Sequence, residues 1–350
     1  MSTLTATLDP TIDLVTKIVT QPTATDADFA RVAGDRATSL ELRRDRPREV
    51  VSIMMSATLF GADSPYGHPG SGMRDSFKSI NFADLHAFYK SQWNPATMTL
   101  VVAGDVDTAK LVAKLTAGLG AWKQPGAGTM RITSSPLAVT KRLQLADRPA
   151  APQSDIRIGL VGIDRKDRRY YAFEVLTTVL GGSFSSRLNH RIREELGITY
   201  GIGASMDWRL QPGPFSISTA IVAPETAHGI AEALKIVDEL ATTDVPAAEL
   251  DKAKQNMIRA LPSQFESNGG VASSFADLAV FGLPDDWYAH YAAEVRKVAA
   301  ADVKAIAKSA IPSGKLVIAI VGDLGKVRSE LDKLKLGDPV MHDLYGVPAK

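Results

Sequence analysis

Two segments of the chain share one pattern of polar and apolar positions. ADLHAFYKSQWNPATMTLVVAGDV at residues 83–106 and ADVKAIAKSAIPSGKLVIAIVGDL at residues 301–324 match at one constant offset. Each predicts an aspartate-capped helix, a turn with proline, and a continuous apolar strand that ends at Gly-Asp. Because such strands are usually buried on both faces, we expect residues 98–103 and 316–321 to lie inside sheets. The chain therefore contains an internal repeat of two related units.

The second unit carries further elements before its copy of the repeat, and the first unit has no counterpart for them. Alternation and helical spacing of apolar residues predict strands near 156–161, 199–207 and 215–222, and helices over 168–180, 226–241, 247–265 and 270–281. Roughly the first third of the first unit is therefore missing from this sequence.

A stretch without periodicity, GLGAWKQPGAGTMRITSSP, separates the two units and is typical of a linker. We assign residues 1–122 to the C-terminal part of a first domain, residues 123–140 to the linker, and residues 141–350 to a second domain. A chain of 350 residues is long enough for two domains of ordinary size.

Composition excludes several classes of function. The chain is 45% hydrophobic and 23% charged, with a net charge of +1 and no basic block, which argues against a nucleic-acid partner. The absence of cysteine excludes disulfides, thiolate zinc sites and a cysteine nucleophile. No apolar run approaches the roughly 20 residues of a membrane span, and the first residues lack the pattern of an export signal. We expect a soluble chain, and its compartment stays undetermined.

The stretch GGSFSSRLNHRIREELGITYG, at residues 181–201, concentrates the chemistry of the chain. Its paired glycines suggest a phosphate cradle, but neither G-x-G-x-x-G nor a Gly-Lys-Ser/Thr follows. We interpret Gly181 and Gly182 as a turn that requires positive φ, followed by an N-cap at Ser183 or Ser185.

Other polar residues of this stretch have ordinary structural interpretations. His190 and Glu194 fit a solvated pair on one helix face, because the chain has neither His-Glu-x-x-His nor its inversion. Arg193 would favour a helix C-terminus that Gly197 caps, and Tyr200 would pack in the sheet. Taken alone, these residues leave that interpretation and a ligand-binding role both open.

Several motifs in order resemble the insulinase/pitrilysin family of zinc metallopeptidases, which includes the mitochondrial processing peptidases. They are YGHPGSG, FYKSQWNPATMTLVVAGDV, GGSFSSRLNHRIREELGITYGIGAS and LVIAIVGD. The resemblance implies an α+β fold with two homologous metallopeptidase-like domains, each an antiparallel sheet backed by helices. The first of these domains would be N-terminally truncated in this chain.

The resemblance also assigns site residues. Active members carry His-x-x-Glu-His in the first domain, which this chain lacks, and a distant glutamate as third zinc ligand. At that third position our register places Ser39, with Glu41 two residues away, and two residues turn a helical side chain by about 200°. The second domain of the family supplies an Arg and a Tyr that reach the substrate, and these match Arg193 and Tyr200. We therefore predict two substrate-binding residues, no catalytic residue and no metal ligand.

The predicted function follows from this half-site. The chain would contribute the peptide-binding Arg/Tyr domain to proteolysis, with zinc held by a catalytic partner or by a longer form of the chain, and would be inactive alone. A peptide substrate would bind as an added strand at a sheet edge. The partner would be a catalytic zinc-peptidase subunit in a heterodimer, or further copies of the chain.

Two alternatives remain. The chain would be a non-enzymatic scaffold subunit related to processing-peptidase and core proteins, with Arg193 and Tyr200 as structural remnants. Otherwise it would be a fragment of an active zinc metalloendopeptidase in which Met1 is an internal start, which would allow a signal peptide and a periplasmic location.

Overall fold

The computed structural model of the chain describes residues 1–123 and 136–349, so most of the predicted linker at 123–140 lies outside the described residues. The helices are α1 (Leu8–Thr20), α2 (Asp26–Glu41), α3 (Pro47–Phe60), α4 (Arg74–Phe77), α5 (Phe82–Gln92), α6 (Thr108–Leu119), α7 (Tyr170–Thr177), α8 (Thr226–Thr242), α9 (Ala247–Ala260), α10 (Asn268–Phe281), α11 (Trp287–Lys297), α12 (Ala300–Ala310) and α13 (Leu324–Lys333). The strands are β1 (Leu143–Asp147), β2 (Gln153–Val161), β3 (Thr199–Met206), β4 (Pro214–Val222), β5 (Val317–Gly322) and β6 (Val340–His342).

The described residues form two compact units that alternate along the chain. Those of the first unit fall in Met1–Leu40, Met73–Ile132 and Leu261–Asp285, and those of the second in Glu41–Gly72, Thr133–Ala260 and Asp286–Lys350. Because each unit draws on both sides of the predicted linker, the domains assigned to residues 1–122 and 141–350 stay a prediction.

The first unit is helical in its described part. Helices α1 and α6 pack together, and the Lys114 ammonium lies 2.8 Å from the Asp13 carboxylate. The Tyr89 hydroxyl on α5 donates a hydrogen bond of 2.8 Å to the Val19 carbonyl. These polar contacts tie three helices of this unit to one another.

The helices of the repeat are confirmed, together with their aspartate caps. Asp84 Oδ2 accepts a hydrogen bond of 2.8 Å from the Asn81 backbone N–H, which precedes α5. Asp302, at the matching position, accepts one of 2.8 Å from the Ala299 backbone N–H, which precedes α12. Each aspartate satisfies one of the backbone N–H groups that a helix start leaves unpaired.

The strands of the repeat have different outcomes. Strand β5 forms as predicted, and all six of its residues are buried between β2 and β1. The matching residues 98–103 form no strand, and Met98, Leu100 and Val102 are 41%, 57% and 42% exposed. The prediction of a buried strand there is wrong for the described residues, because a strand needs a paired neighbour and the described part of the first unit supplies none.

The second unit contains a six-stranded sheet in the order β3-β4-β2-β5-β1-β6. The pairs β3/β4, β4/β2 and β2/β5 are antiparallel, whereas β1 runs parallel to both β5 and β6. The chain leaves β5, crosses through α13 and returns as β6, and such a helical crossover is what parallel strands require. The predicted α+β class is confirmed, with one mixed sheet in the described residues instead of two antiparallel ones.

The core of the second unit lies on the helical face of this sheet. Ile156 and Ile158 of β2, Phe215 of β4 and Phe173 of α7 are at most 2% exposed. Helix α3 contacts β2 and β5 on the face of the sheet that carries Arg157, and its fully buried Met54 lies outside this core cluster. No helix in the described ranges is long and apolar enough to cross a membrane.

Candidate functional site

The candidate site is a helix–turn–strand segment in the second unit. Helix α7 continues into a π-helical turn at Thr178–Gly182, and a second π-helical segment, Asn189–Glu195, precedes β3. Gly197 has φ +66° and ends this segment in the left-handed conformation that favours glycine. The predicted cap at Gly197 is confirmed. Irregular π-helical turns of this kind are frequent at functional sites.

Gly181 and Gly182 do not form the predicted turn with positive φ before a serine N-cap. Neither Gly181 nor Gly182 has a positive φ, and no cap hydrogen bond from a serine side chain starts the next helix. Gly181 is required for close approach instead, because a Cβ there would lie 2.4 Å from the Ala204 backbone nitrogen. The glycine lets the end of the π-helical turn lie directly against β3.

Asn189 closes the outer edge of the sheet, a role that the sequence did not reveal. Strand β3 is the edge strand, and alternate residues of an antiparallel edge strand point their N–H and C=O groups away from the sheet. Asn189 Nδ2 donates a hydrogen bond of 2.6 Å to the Ile202 carbonyl, and the Ile202 N–H donates one of 3.3 Å to Asn189 Oδ1. The side-chain amide thus stands where a neighbouring strand would pair.

A second device closes the opposite edge. Met341 of β6 accepts a hydrogen bond of 2.7 Å from the Ala349 backbone N–H, and His342 forms a bridge with Pro348. Covering an edge in this way prevents uncontrolled strand pairing. Asn189 occupies the β3 edge at Ile202 and the C-terminal residues cover β6, and the expectation that a peptide adds as a strand stays a prediction.

Two arginines of the candidate segment are paired with carboxylates of helices α8 and α9. Arg187 donates two hydrogen bonds of 2.8 Å to the Glu249 carboxylate. Arg191 Nε donates one of 2.7 Å to Glu232, and hydrogen bonding by Arg191 holds the pKa of the Glu232 carboxyl below its usual value. These charge-assisted pairs, of which Arg187–Glu249 is bidentate, fix the segment to helices α8 and α9 of the same unit.

His190 does not pair with Glu194 as predicted. Its Nδ1 lies 3.2 Å from Glu195 Oε1, and Arg191 Nη1 donates a hydrogen bond of 2.8 Å to the other oxygen of Glu195. The π-helical backbone explains the shift, because its hydrogen bonds run from residue i to residue i+5. His190 and Glu194 are both exposed.

Arg193 differs from its charged neighbours. Its guanidinium lies 4.0 Å from the ring centroid of Phe184, a side chain that is itself 66% exposed. No hydrogen bond or ion pair joins it to another residue in the part of the chain that the structure describes. The ring holds the guanidinium by a cation–π contact and leaves its planar N–H donors available.

Tyr200 projects from the start of β3 and is 91% exposed, so the prediction that it packs in the sheet is wrong. The strand has a register irregularity between Thr199 and Ile202, and such bulges re-aim side chains. Thr199 fixes this bulge, since its Oγ1 lies 2.9 Å from Thr219 Oγ1 and accepts a hydrogen bond of 3.1 Å from the Gly201 N–H. A rigid backbone therefore presents an exposed phenol.

The described residues do not supply a zinc site. No group of three or more His, Cys, Asp or Glu side chains within them is placed to hold a metal ion. Ser39 is half-buried, and Glu41 Oε2 accepts a hydrogen bond of 2.9 Å from the Tyr345 hydroxyl. A single carboxylate in a hydrogen bond with a phenol is not a ligand set for zinc. Which of the two residues matches the third-ligand position stays open.

Comparisons with known proteins identify the family of the chain. The sequence profile of the peptidase M16 inactive domain matches residues 79–257, just over half of the chain. An uncharacterized zinc protease of Mycobacterium tuberculosis is 27% identical over 332 residues, which cover 93% of this chain and 74% of the relative.

Two solved structures share the fold. The peptidase M16 inactive domain from Pseudomonas fluorescens has a TM-score of 0.84 at 22% identity, covering 91% of this chain and 75% of that chain. A chain of complex III2 from Candida albicans, with Inz-5 bound, has a TM-score of 0.78 at 16% identity, covering 95% and 81%. As its motifs predict, this chain is a member of the insulinase/pitrilysin-like peptidases and belongs to the peptidase M16 inactive domain family.

Proposed function

We propose that the chain contributes a peptide-binding surface, built from Arg193 and Tyr200, to proteolysis at a zinc centre outside the described residues. That centre lies on a catalytic partner or on a longer form of the chain. The observation that carries the proposal is the contrast within one segment: Arg187 and Arg191 are paired with carboxylates, whereas Arg193 is held, among the described residues, only by the ring of Phe184.

The chemistry of the two side chains suits complementary tasks. A guanidinium with free N–H donors binds a peptide carbonyl or carboxylate in a planar, two-pronged geometry. A phenol donates one hydrogen bond, which stabilises the oxyanion that develops when a peptide bond is attacked. Because the β3 edge is closed at Ile202, these side chains hold the peptide without strand addition there.

The test uses a fluorescein-labelled peptide library and the purified full chain. We expect Arg193→Ala to weaken binding about tenfold, the loss of roughly one charge-assisted hydrogen bond. The matched control is Arg168→Ala, which removes an exposed arginine of the same unit and should leave binding unchanged. When the chain is mixed with a zinc-bearing peptidase subunit of this family, Tyr200→Phe should lower kcat/KM by about 10²-fold. Zinc-dependent cleavage by the chain alone would contradict the proposal.

The second candidate is a non-enzymatic scaffold subunit, and the fold it shares with a chain of complex III2 supports it. In that case Arg193 and Tyr200 have no ligand. Peptide binding that survives removal of both side chains would favour this alternative over the first.

A further inference from the structure

A small cavity opens on the face of the sheet that carries Arg157, within the second unit. Its volume is about 160 Å³. It is lined by residues of α3, β2, β3 and β4, among them Arg48, Asp155, Arg157, Gly201 and Ser218. The candidate site already described uses none of these side chains.

Arg157 brings an unsatisfied donor to this cavity. Its Nη1 donates a hydrogen bond of 3.1 Å to Ser216 Oγ, but its Nε–H is buried and has no hydrogen-bond partner within the described ranges. Burial lowers the pKa of Arg157, but a guanidinium remains charged at any physiological pH. A buried charged donor without an acceptor is costly and is rare in native structures, so an acceptor that reached this N–H would gain a favourable hydrogen bond.

The charges around the cavity do not cancel. Arg48 and Arg157 supply two positive charges, and Asp155 supplies one negative charge. Arg48 Nε lies 3.8 Å from Asp155 Oδ1, beyond hydrogen-bond distance, and burial raises the pKa of Asp155. Asp207 is the carboxylate that attracts Arg157, and it is already held by two hydrogen bonds from Arg209 of 2.9 and 2.7 Å. These three lining side chains, Arg48, Arg157 and Asp155, carry a net charge of +1, with Arg48 largely exposed to solvent, so a carboxylate would be attracted to the cavity.

The cavity lies beside the residues proposed to bind the peptide. Gly201, which follows Tyr200 directly, lines it, and a Cβ placed at Gly201 would meet no atom within 4 Å. Across the sheet, Gly203 of β3 pairs with Ser218 of β4, which pairs with Arg157 of β2. Only the small residues Gly203 and Ser218 therefore lie on this row between β3 and Arg157.

We infer that this cavity binds a carboxylate of the peptide held at Arg193 and Tyr200, with the Arg157 Nε–H as its hydrogen-bond donor. The carboxylate is either an acidic side chain or the C-terminus of the peptide. This inference rests on the proposed function, since it assigns to the same peptide a second point of attachment. It makes Arg157 a specificity-determining residue.

The experiment compares matched peptides on the full chain by fluorescence anisotropy. The probes are fluorescein-labelled, alanine-rich nonapeptide amides with one Glu at successive positions, the same series with Gln, and the parent peptide with a free C-terminal carboxylate. We expect at least one acidic peptide to bind about tenfold more tightly than its neutral match. Arg157→Gln should remove that preference and leave the binding of neutral peptides unchanged, whereas the exposed-residue control Arg168→Gln should retain it.

A second measurement does not depend on whether the neutral variant Arg157→Gln folds. In ¹H–¹⁵N spectra of the wild-type chain, the Arg157 Nε–H resonance, assigned by its loss in Arg157→Lys, should shift saturably with sodium acetate and not with sodium chloride. Equal binding of acidic and neutral peptides, or no acetate-dependent shift, overturns the carboxylate site and leaves the Arg193/Tyr200 proposal standing. A wild-type chain that binds none of the peptides overturns both.

Discussion

Replacing Asn189 by alanine tests whether its side chain replaces a neighbouring strand at the sheet edge. The side chain is 8% exposed, and its amide makes hydrogen bonds of 2.6 and 3.3 Å with the backbone of Ile202, which is 3% exposed. Its Nδ2 also donates to the Ser183 carbonyl at 3.2 Å. Asn189→Ala removes all of these contacts and leaves the polar groups of Ile202 buried.

The magnitude follows from the groups left unpaired. A buried donor or acceptor that loses its partner costs about 1–3 kcal/mol, and Ile202 would have one of each. Allowing for partial access of water, we expect the free energy of unfolding to fall by about 2–4 kcal/mol. Opening of the Ile202 amide, measured by hydrogen exchange, should become about 30- to 700-fold more frequent, since about 1.4 kcal/mol corresponds to a factor of ten.

The assay combines urea unfolding with hydrogen exchange, and Asn256→Ala is the control. Asn256 is an exposed asparagine on α9, so its removal should change stability by less than about 0.5 kcal/mol. Asn189→Asp adds a chemical test, because an ionised carboxylate still accepts from the Ile202 N–H but cannot donate to its carbonyl. The variant should be destabilised at neutral pH and should approach the wild type in acid, where the carboxyl donates again.

If Asn189→Ala proves as stable as Asn256→Ala, the Asn189 side chain does not replace a neighbouring strand at the edge of β3.

Three further predictions concern the same unit. Gly181→Ala should destabilise the fold by about 1–3 kcal/mol in urea unfolding, because the new Cβ would lie 2.4 Å from the Ala204 backbone nitrogen, and an unchanged stability would contradict the close-approach argument. Gly197→Ala should cost about 1–2 kcal/mol in the same assay for its positive φ, and no cost would contradict a cap that requires glycine. Burial raises the pKa of the Glu174 carboxyl, whose Oε1 accepts a hydrogen bond of 3.1 Å from Trp208 Nε1. Ionised Glu174 therefore destabilises the fold. This cost is fully present above the raised pKa of the folded chain and absent below the pKa of glutamate in the unfolded chain. Glu174→Gln should therefore be more stable than the wild type near pH 7 and equal to it near about pH 4, and a pH-independent difference would contradict this.

The sequence predicted the elements whose patterns are self-contained. Strands β2, β3 and β4 and helix α8 appear within a few residues of their predicted bounds. Each carries enough apolar positions at one period to specify both its type and its buried face. Strands β1 and β6 went unpredicted, since five- and three-residue strands give too short a pattern.

Residues 98–103 show the limit of this reasoning. Their pattern matches that of β5, which is buried, but in the structure they form no strand and remain largely exposed. The difference lies in the neighbours, because β5 has β2 on one side and β1 on the other. Apolar character predicts what a segment would do in a sheet, and strand formation also requires hydrogen-bonding partners elsewhere in the chain.

The candidate site likewise contains residues that the sequence singled out and residues that it missed. Arg193 and Tyr200 were singled out by the resemblance of their segment, and the structure places both on one helix–turn–strand segment as side chains with free polar groups. Asn189 and Arg157 were missed because an isolated asparagine or arginine carries no periodic signal. Only the fold reveals that Asn189 pairs with the outer edge of β3 and that the Nε–H of Arg157 has no acceptor among the described residues.

The arrangement of these residues explains how exposed side chains can be held in place. Asn189 ties the helical segment to Ile202, and Thr199 ties the start of β3 to Thr219. Both bonds lie in buried surroundings, close to the chain that leads from Arg193 to Tyr200. Binding of a peptide would then order little backbone, so most of the interaction energy would appear as affinity. If Asn189→Ala loosens this segment, we expect it to weaken peptide binding together with stability, although the amide touches no part of the peptide.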